Sequence, residues 1–245
     1  FRSLERNKTA KKALELAQAM MDLPSKRNTV LVSLGGGIVQ DVTGFTASLL
    51  YRGIRWVYIP TTLLAQTDSC IGSKTSLNHV GHKNLLGTFY PPDRIYIDPA
   101  FITTLSRKDY LNGVGEMAKI AITRGESGIS EFERDLPLLL KSDLKVACSW
   151  IKKSLEVKKS YIESDEFDFG ERKLLNYGHT FGHALEKTSS YAVPHGQGVS
   201  IGMLIANSIS QSRGYITPEL RMKLEKMVLP LIGVRVRKKY FSDAF

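Results

Sequence analysis

Apolar positions recur at helical spacing over residues 8–22, where Ala13, Leu14, Leu16, Ala17, Ala19 and Met20 fall on one side of a helix. The polar stretch LPSKRN ends that pattern. TVLVSLGGG follows, a short β-branched run closed by three glycines, and predicts a buried strand entering a tight turn. IVQDVTGFTASLLY returns to helical spacing, and IRWVYIP predicts a second buried strand. The order α-β-α-β is that of a parallel sheet with helices on its faces. DSCIGSKTSLNHVGHKNLLGTFYPP, rich in Gly, Ser and Asn, reads as a long loop. Beyond about residue 100 strand signals stop. GVGEMAKIAI, DLPLLLKSDLKVACSWIKKSLEVKKSYI, HTFGHALEKTSS, VSIGMLIANSISQSRG and PELRMKLEKMVLPLI all predict helices. The expected fold class is α/β followed by all-α: residues 1–100 hold part of a parallel-sheet domain and residues 101–245 a helical one.

Composition narrows the functional classes. The 245 residues suffice for one large domain or two small ones. No apolar run approaches the about 20 residues that span a bilayer, so no membrane partner is expected. The charged, helically patterned start does not read as a secretory signal. Cys70 and Cys148 lack C-x-x-C spacing, which excludes a disulfide framework or thiolate metal site and makes the cytoplasm the expected compartment. The net charge of +10 is spread along the chain, with RVRKK at 235–239 its densest run. That distribution suits a solvated surface with anion-binding groups better than a nucleic-acid module.

Three stretches carry candidate chemistry. Glycines 35–37 sit between a strand and a helix, where backbone N–H groups and the helix dipole suit a phosphate, or simply form a tight βα turn. The next strand ends in PTTLLAQTDS, placing two threonines and Asp68 where parallel sheets bind ligands. Lys74, Lys83 and Asn84 follow among glycines, and lysines there suit phosphate or carboxylate groups. His179 and His183 share one helix face, and His195 opens PHGQG. Imidazole is the commonest zinc ligand, and three protein ligands with an open position mark a catalytic zinc. Glu116, read as lying early in a helix with Lys119 one turn on, is the candidate carboxylate. Spacing alone leaves open which histidines bind metal.

Together, GGGIVQDVTGFTASLLYRG, PTTLLAQTDSCIGSKTSLN, HKNLLGTFYPP, GVGEMAK, ERKLLNYGHTFGHALE and HGQGVSIGM resemble the 3-dehydroquinate synthase family of sugar-phosphate cyclases, in the family's order. The resemblance implies an NAD-binding α/β domain followed by a helical zinc and substrate domain. It implies a phosphorus–oxygen lyase of the shikimate pathway. Such an enzyme closes a carbocycle from 3-deoxy-arabino-heptulosonate 7-phosphate, with zinc (or cobalt) and catalytic NAD. By position, Glu116, His179 and His195 match the metal ligands. Lys74, Lys119, Lys158, Arg172, Asn176 and His183 match catalytic groups. Asp68, Lys83, Asn84 and Asp168 match substrate contacts, and Arg52 matches an arginine that reaches the neighbouring subunit's substrate, implying a homodimer. Gly36, Gly37, Ile38, Asp41, Thr61, Thr62, Leu64, Asp68, Lys74, Lys83, Phe101, Thr104 and Leu105 match NAD contacts.

The chain departs from the family pattern at Ser73, at Asp168 and in VGHKN. The family has further sheet, with an acidic-lysine NAD motif, before the segment matching Phe1, and a tail with another substrate lysine. Both are expected to be missing here, leaving an incomplete NAD pocket. Three other readings remain: a sister cyclase of the 2-deoxy-scyllo-inosose or epi-valiolone type, a metal-dependent alcohol dehydrogenase relative, and a non-catalytic descendant.

Overall fold

In a computed structural model of the chain, residues 1–24, 26–165 and 169–241 are described. Asp168 lies outside them. Two compact units form, Phe1–Asp98 and Pro99–Phe245. The architecture is α/β followed by all-α, as the pattern predicts.

In the first unit Thr9 caps helix α1 (Ala10–Met21), its hydroxyl accepting from the Lys12 N–H at 3.4 Å. Strand β1 (Val30–Gly35) runs into helix α2 (Gly37–Leu49), and β2 (Arg55–Pro60) returns beside β1. The two strands pair in parallel, as a βαβ connection requires. Ser33 faces α2 and donates to Thr43 Oγ1 at 3.1 Å. On the opposite face of β1, Val30, Val32 and Leu34 are 41%, 57% and 56% exposed.

The stretch 68–92 is not a loop. It contains an antiparallel hairpin of β3 (Lys74–His79) and β4 (His82–Phe89). Its inward residues are Thr75 and Leu77, both buried, and the Thr75 and Thr88 hydroxyls meet at 2.8 Å. Alternation carried by a threonine and a single leucine is too weak to read as a strand. The turn residues Val80 (φ 46°) and Gly81 (φ 75°) both take the left-handed conformation that primed hairpin turns need. A short β5 (Arg94–Ile95) joins the parallel sheet, giving the order β1-β2-β5 with β1 at an edge.

The second unit holds six helices among the described residues: α3 (Arg107–Thr123), α4 (Gly125–Leu140), α5 (Leu144–Ser164), α6 (His179–Thr188), α7 (His195–Ser212) and α8 (Pro218–Val228). The stretch DLPLLLKSDLKV, read as one helix, is two: Asp143 accepts from the Val146 N–H at 2.9 Å and starts α5 afresh. Helix α8 stops before Pro230, which turns PELRMKLEKMVLPLI into a 3₁₀ turn at Leu229–Leu231.

Helix α3 is buried from Val114 through Ala121. Helices α6 and α7 pack closely because glycines face each other. A Cβ at Gly182 would lie 2.9 Å from Val199 N and 3.0 Å from the Gly198 carbonyl carbon. One turn earlier, a Cβ at Gly202 would collide with the Gly178 carbonyl, and Gly178 itself has φ 78°. The helices are antiparallel, so the next rung after Gly178/Gly202 and Gly182/Gly198 pairs Glu186 with His195.

Candidate metal and anion site

The glycine ladder brings the three histidines together. His179 opens α6, His183 is one turn on, and His195 opens α7. Their ring centroids are 5.2 Å apart for His179–His183, 5.2 Å for His179–His195 and 5.6 Å for His183–His195. One nitrogen from each lies within 4.8 Å of the others. Glu116 enters from α3, which packs against α7. It lies in the middle of α3 (Arg107–Thr123), not early in a helix.

Two of the three rings are held by their outer nitrogen. His195 Nδ1 lies 2.7 Å from Glu186 Oε1, while its Nε2 lies 3.4 Å from Glu116 Oε1. His179 Nδ1 faces the Tyr177 carbonyl at 3.2 Å. Metal-binding histidines are held in this way, one nitrogen bonded outward and the other turned to the ion. His183 is exposed, His179 and His195 half-buried.

Glu116 is fully buried, one carboxylate oxygen paired with the Lys119 ammonium and the other facing His195 Nε2 at 3.4 Å. A buried carboxylate oxygen turned toward imidazole nitrogens suits a shared cation. The residues present therefore fit a divalent ion: Glu116, His179 and His195 offer one carboxylate oxygen and two imidazole nitrogens, a donor set suited to zinc or cobalt. His183 is the alternative third nitrogen.

Charge follows the same geometry. Burial alone would raise the Glu116 pKa, but Lys119 and then His195 hold it well below the usual carboxylate range. Burial disfavours a charged His195, but Glu116 and Glu186 outweigh it and push the pKa up to about 9. Burial, with help from Lys119 and His195 against the pull of Glu116, brings His179 down to about 4. The His179 ring is thus neutral and ready to donate a lone pair.

Cationic groups gather in the same unit. Lys119 is 2%, Lys158 9% and Arg172 7% exposed. They lie on α3, α5 and the 3₁₀ segment Glu171–Asn176, which pack on one another. Three cationic side chains buried in one unit suit a multiply charged anion. Asp165 holds this segment, accepting from the N–H groups of Phe169 (2.9 Å), Gly170 (2.7 Å) and Arg172 (3.2 Å). Asn176 is exposed at the end of the segment.

The first unit supplies a nucleotide-type turn. Gly36 caps α2, and a Cβ there would lie 2.9 Å from Thr62 Cγ2; one at Gly37 would lie 3.3 Å from Ser69 Oγ. A side chain at Gly36 would press on Thr62, so the turn suits glycine. Gln40 Nε2 donates to Ser69 O at 2.6 Å, and Ser69 Oγ donates to Gln40 Oε1 at 2.8 Å. That exchange fixes α2 against the π turn Ala65–Ser69, which carries Asp68. Thr61, Thr62 and Leu64 lie between β2 and that turn, and Ile38 sits in the first turn of α2. Lys74 starts β3, and Lys83 and Asn84 lie on β4. Asp41 is turned toward Lys8 Nζ (2.6 Å), Ser76 N (2.9 Å) and Ser76 Oγ (3.0 Å). Arg52 is exposed, with φ 64°. Phe101, Thr104 and Leu105 belong to the second unit.

The sequence reading missed Glu186, the Tyr177 carbonyl and Asp165. An acidic residue inside the apolar pattern of HTFGHALE was the one available signal for Glu186.

A family model described as the 3-dehydroquinate synthase N-terminal domain matches residues 1–112, and one for the C-terminal domain matches residues 113–239. A 3-dehydroquinate synthase of Clostridium tetani is 38% identical over 227 residues, covering 93% of this chain and 61% of the relative. The chain spans under two thirds of the length of the first curated relatives it matches. Among solved structures, the NAD⁺- and Zn²⁺-bound 2-epi-5-epi-valiolone synthase of Streptomyces hygroscopicus subsp. jinggangensis superposes at TM-score 0.90 with 26% identity, over 98% of this chain and 67% of that one. A 2-deoxy-scyllo-inosose synthase complexed with carbaglucose-6-phosphate, NAD⁺ and Co²⁺ superposes at TM-score 0.88 with 25% identity, over 98% and 67%. Matched through both domains, the chain belongs to the 3-dehydroquinate synthase family.

Proposed function

We propose that the protein acts as a 3-dehydroquinate synthase, closing a carbocycle from 3-deoxy-arabino-heptulosonate 7-phosphate with loss of phosphate. The observation that carries this reading is the convergence of the His179, His183 and His195 rings, with the buried Glu116 carboxylate beside His195, in the unit that buries three cationic side chains. Glu116, His179 and His195 hold a divalent cation, which when bound lowers the pKa of substrate hydroxyls. The glycine turn at Gly36 and Gly37 and the threonines Thr61 and Thr62 hold NAD, which when bound takes up and returns a hydride.

The chain's own groups then bind and orient the substrate. Lys158, Arg172 and Asn176 bind its anionic groups. His183, exposed beside the other rings, accepts or donates a proton at the reacting oxygen. Lys119 holds Glu116 ionised and offers its ammonium to the substrate. Burial of these cations excludes water and strengthens their pull on a phosphate leaving group. Asp68, Lys74, Lys83, Asn84 and Asp168 act on the substrate or cofactor. Arg52 serves the partner subunit of a homodimer, and the protein works in the cytoplasm. Among the described residues no helix is long and apolar enough to cross a membrane. A dehydrogenase needs no such set of buried cations.

The test is phosphate release with Zn²⁺ and catalytic NAD⁺ from 3-deoxy-arabino-heptulosonate 7-phosphate, sedoheptulose 7-phosphate and glucose 6-phosphate in parallel. Release from the first alone, abolished by His179→Ala, is expected. Release from either of the others assigns the protein to a sister cyclase. Release from none, with zinc and NAD bound, overturns the proposal.

A further inference from the structure

Glu186 is outside every residue set read from the sequence, yet it is almost wholly buried and bonded to the ring of His195. Its position is set by helix packing. The glycine contacts at Gly178/Gly202 and Gly182/Gly198 fix the α6–α7 register, and the Glu186 stem passes within 3.6 Å of where a Cβ at Gly198 would be. The carboxylate then meets His195 Nδ1 at 2.7 Å, on the side of the ring opposite Glu116.

A carboxylate at this point differs from any neutral partner. An ionised carboxylate only accepts, so it demands a proton on Nδ1, and when the ring carries a single proton, as it must to bind a cation, the lone pair is left on Nε2. A glutamine could present either its oxygen or its NH₂ and would tolerate both tautomers. His179 is held by a backbone carbonyl, which also only accepts but carries no charge. The two histidines are thus fixed in the same tautomer by partners of different strength.

We propose that Glu186 is a positioning residue that fixes the tautomer and ring orientation of His195, so that His195 Nε2 faces the cation position beside Glu116. This rests on the metal centre proposed above. Orienting partners of this kind are worth about 10- to 100-fold in metal affinity.

The experiment uses the 245-residue chain, stripped of metal, with Zn²⁺ as probe in competition with a chromophoric chelator. The His195 tautomer is read separately from ring ¹⁵N shifts on the alkaline side of its titration, where the ring carries a single proton. Glu186→Gln is the informative variant because it keeps the volume and one acceptor. It is expected to weaken Zn²⁺ binding about 10-fold and to mix the His195 tautomers, with an unchanged far-ultraviolet circular dichroism spectrum. Glu186→Asp, which keeps the charge, is expected to restore the single tautomer.

Wild-type affinity together with a single His195 tautomer in Glu186→Gln overturns the positioning role while leaving the metal centre standing. Failure of the unmodified chain to bind Zn²⁺, or binding unaffected by His179→Ala, overturns the metal centre and removes the cation that Glu186 would serve. A merely structural role predicts lost stability without a change of tautomer. That result, too, overturns the proposal.

Discussion

Gly182→Ala separates stability from metal binding in a way that the α6–α7 contact makes quantitative. In an ordinary helix interior the change gains about 1 kcal/mol, because alanine costs less backbone entropy than glycine. Here the new methyl would sit 2.9 Å from Val199 N and 3.0 Å from the Gly198 carbonyl carbon, and both are backbone atoms of a packed helix. Ordinary contact begins near 3.4 Å, so the helices must part by about 0.5 Å at this rung. Overpacking of this kind costs about 1–3 kcal/mol. The net loss of stability is therefore about 0–2 kcal/mol, or a few degrees in Tm.

The metal centre is affected more. His179 and His183 ride on α6 and His195 on α7, and ligand distances hold to within about 0.2 Å in a working site. A displacement of about 0.5 Å exceeds that tolerance, so Zn²⁺ affinity should fall by about an order of magnitude or more while the fold survives. Chelator competition and thermal melts on the same preparations give both numbers. Unchanged Zn²⁺ affinity with an unchanged or raised Tm would show that the helices do not meet as closely as described. Gly198→Ala is the milder control, its methyl meeting the Gly182 carbonyl oxygen at 3.2 Å.

Three further outcomes are expected. Removing either partner of the buried Lys8–Asp41 pair (2.6 Å) should cost about 3–5 kcal/mol in urea unfolding. Lys8→Met combined with Asp41→Asn should cost clearly less than the sum, and strict additivity would show that the two do not interact. Glu131 is held below the usual carboxylate range by Lys153 (2.8 Å) and Arg124 (2.6 Å), so its contribution is fully present above its unfolded pKa and fades as pH falls through the folded value. Glu131→Gln should accordingly flatten the acid limb of a Tm–pH curve and leave its shape at neutral pH unchanged; an unaltered acid limb would count against the pairing. Phe132, fully buried with its ring edge-on to Trp150 at 5.0 Å, should cost about 3–5 kcal/mol as Phe132→Ala and change the fluorescence of Trp150.

The β1–glycine turn–α2–β2 order was legible because an apolar β-branched run, a glycine cluster and helical spacing are each local signals. The hairpin was not. Its buried face is carried by Thr75 and Leu77, and Val80–Gly81 is not the Asn-Gly or Asp-Gly pair that marks a hairpin in sequence. The cluster of three histidines was visible as spacing, and the structure brings all three rings together. Which ring nitrogen faces inward was not visible, since it depends on Glu186 and the Tyr177 carbonyl. Glu186 meets His195 only because α7 returns antiparallel along α6, a tertiary fact with no local trace. Glu116 illustrates the same limit: its place in α3 follows from the helix starting at Arg107, a start set by the Ser106 cap, whose hydroxyl accepts from the Asp109 N–H at 3.2 Å.

Strand β1 has one consequence for handling the protein. Its six residues, Val-Leu-Val-Ser-Leu-Gly, carry no charge and no proline, and among the described residues it pairs on one side only and leaves three aliphatic side chains exposed. Proteins usually protect such edges with lysine, proline or a bulge, because an open strand edge is a template on which other chains add strands. Concentrated solutions of the 245-residue chain, with β1 uncovered as in this structure, should therefore lose material by concentration-dependent self-association. Val32→Lys should slow that loss without changing Zn²⁺ affinity, as light scattering and chelator competition would show.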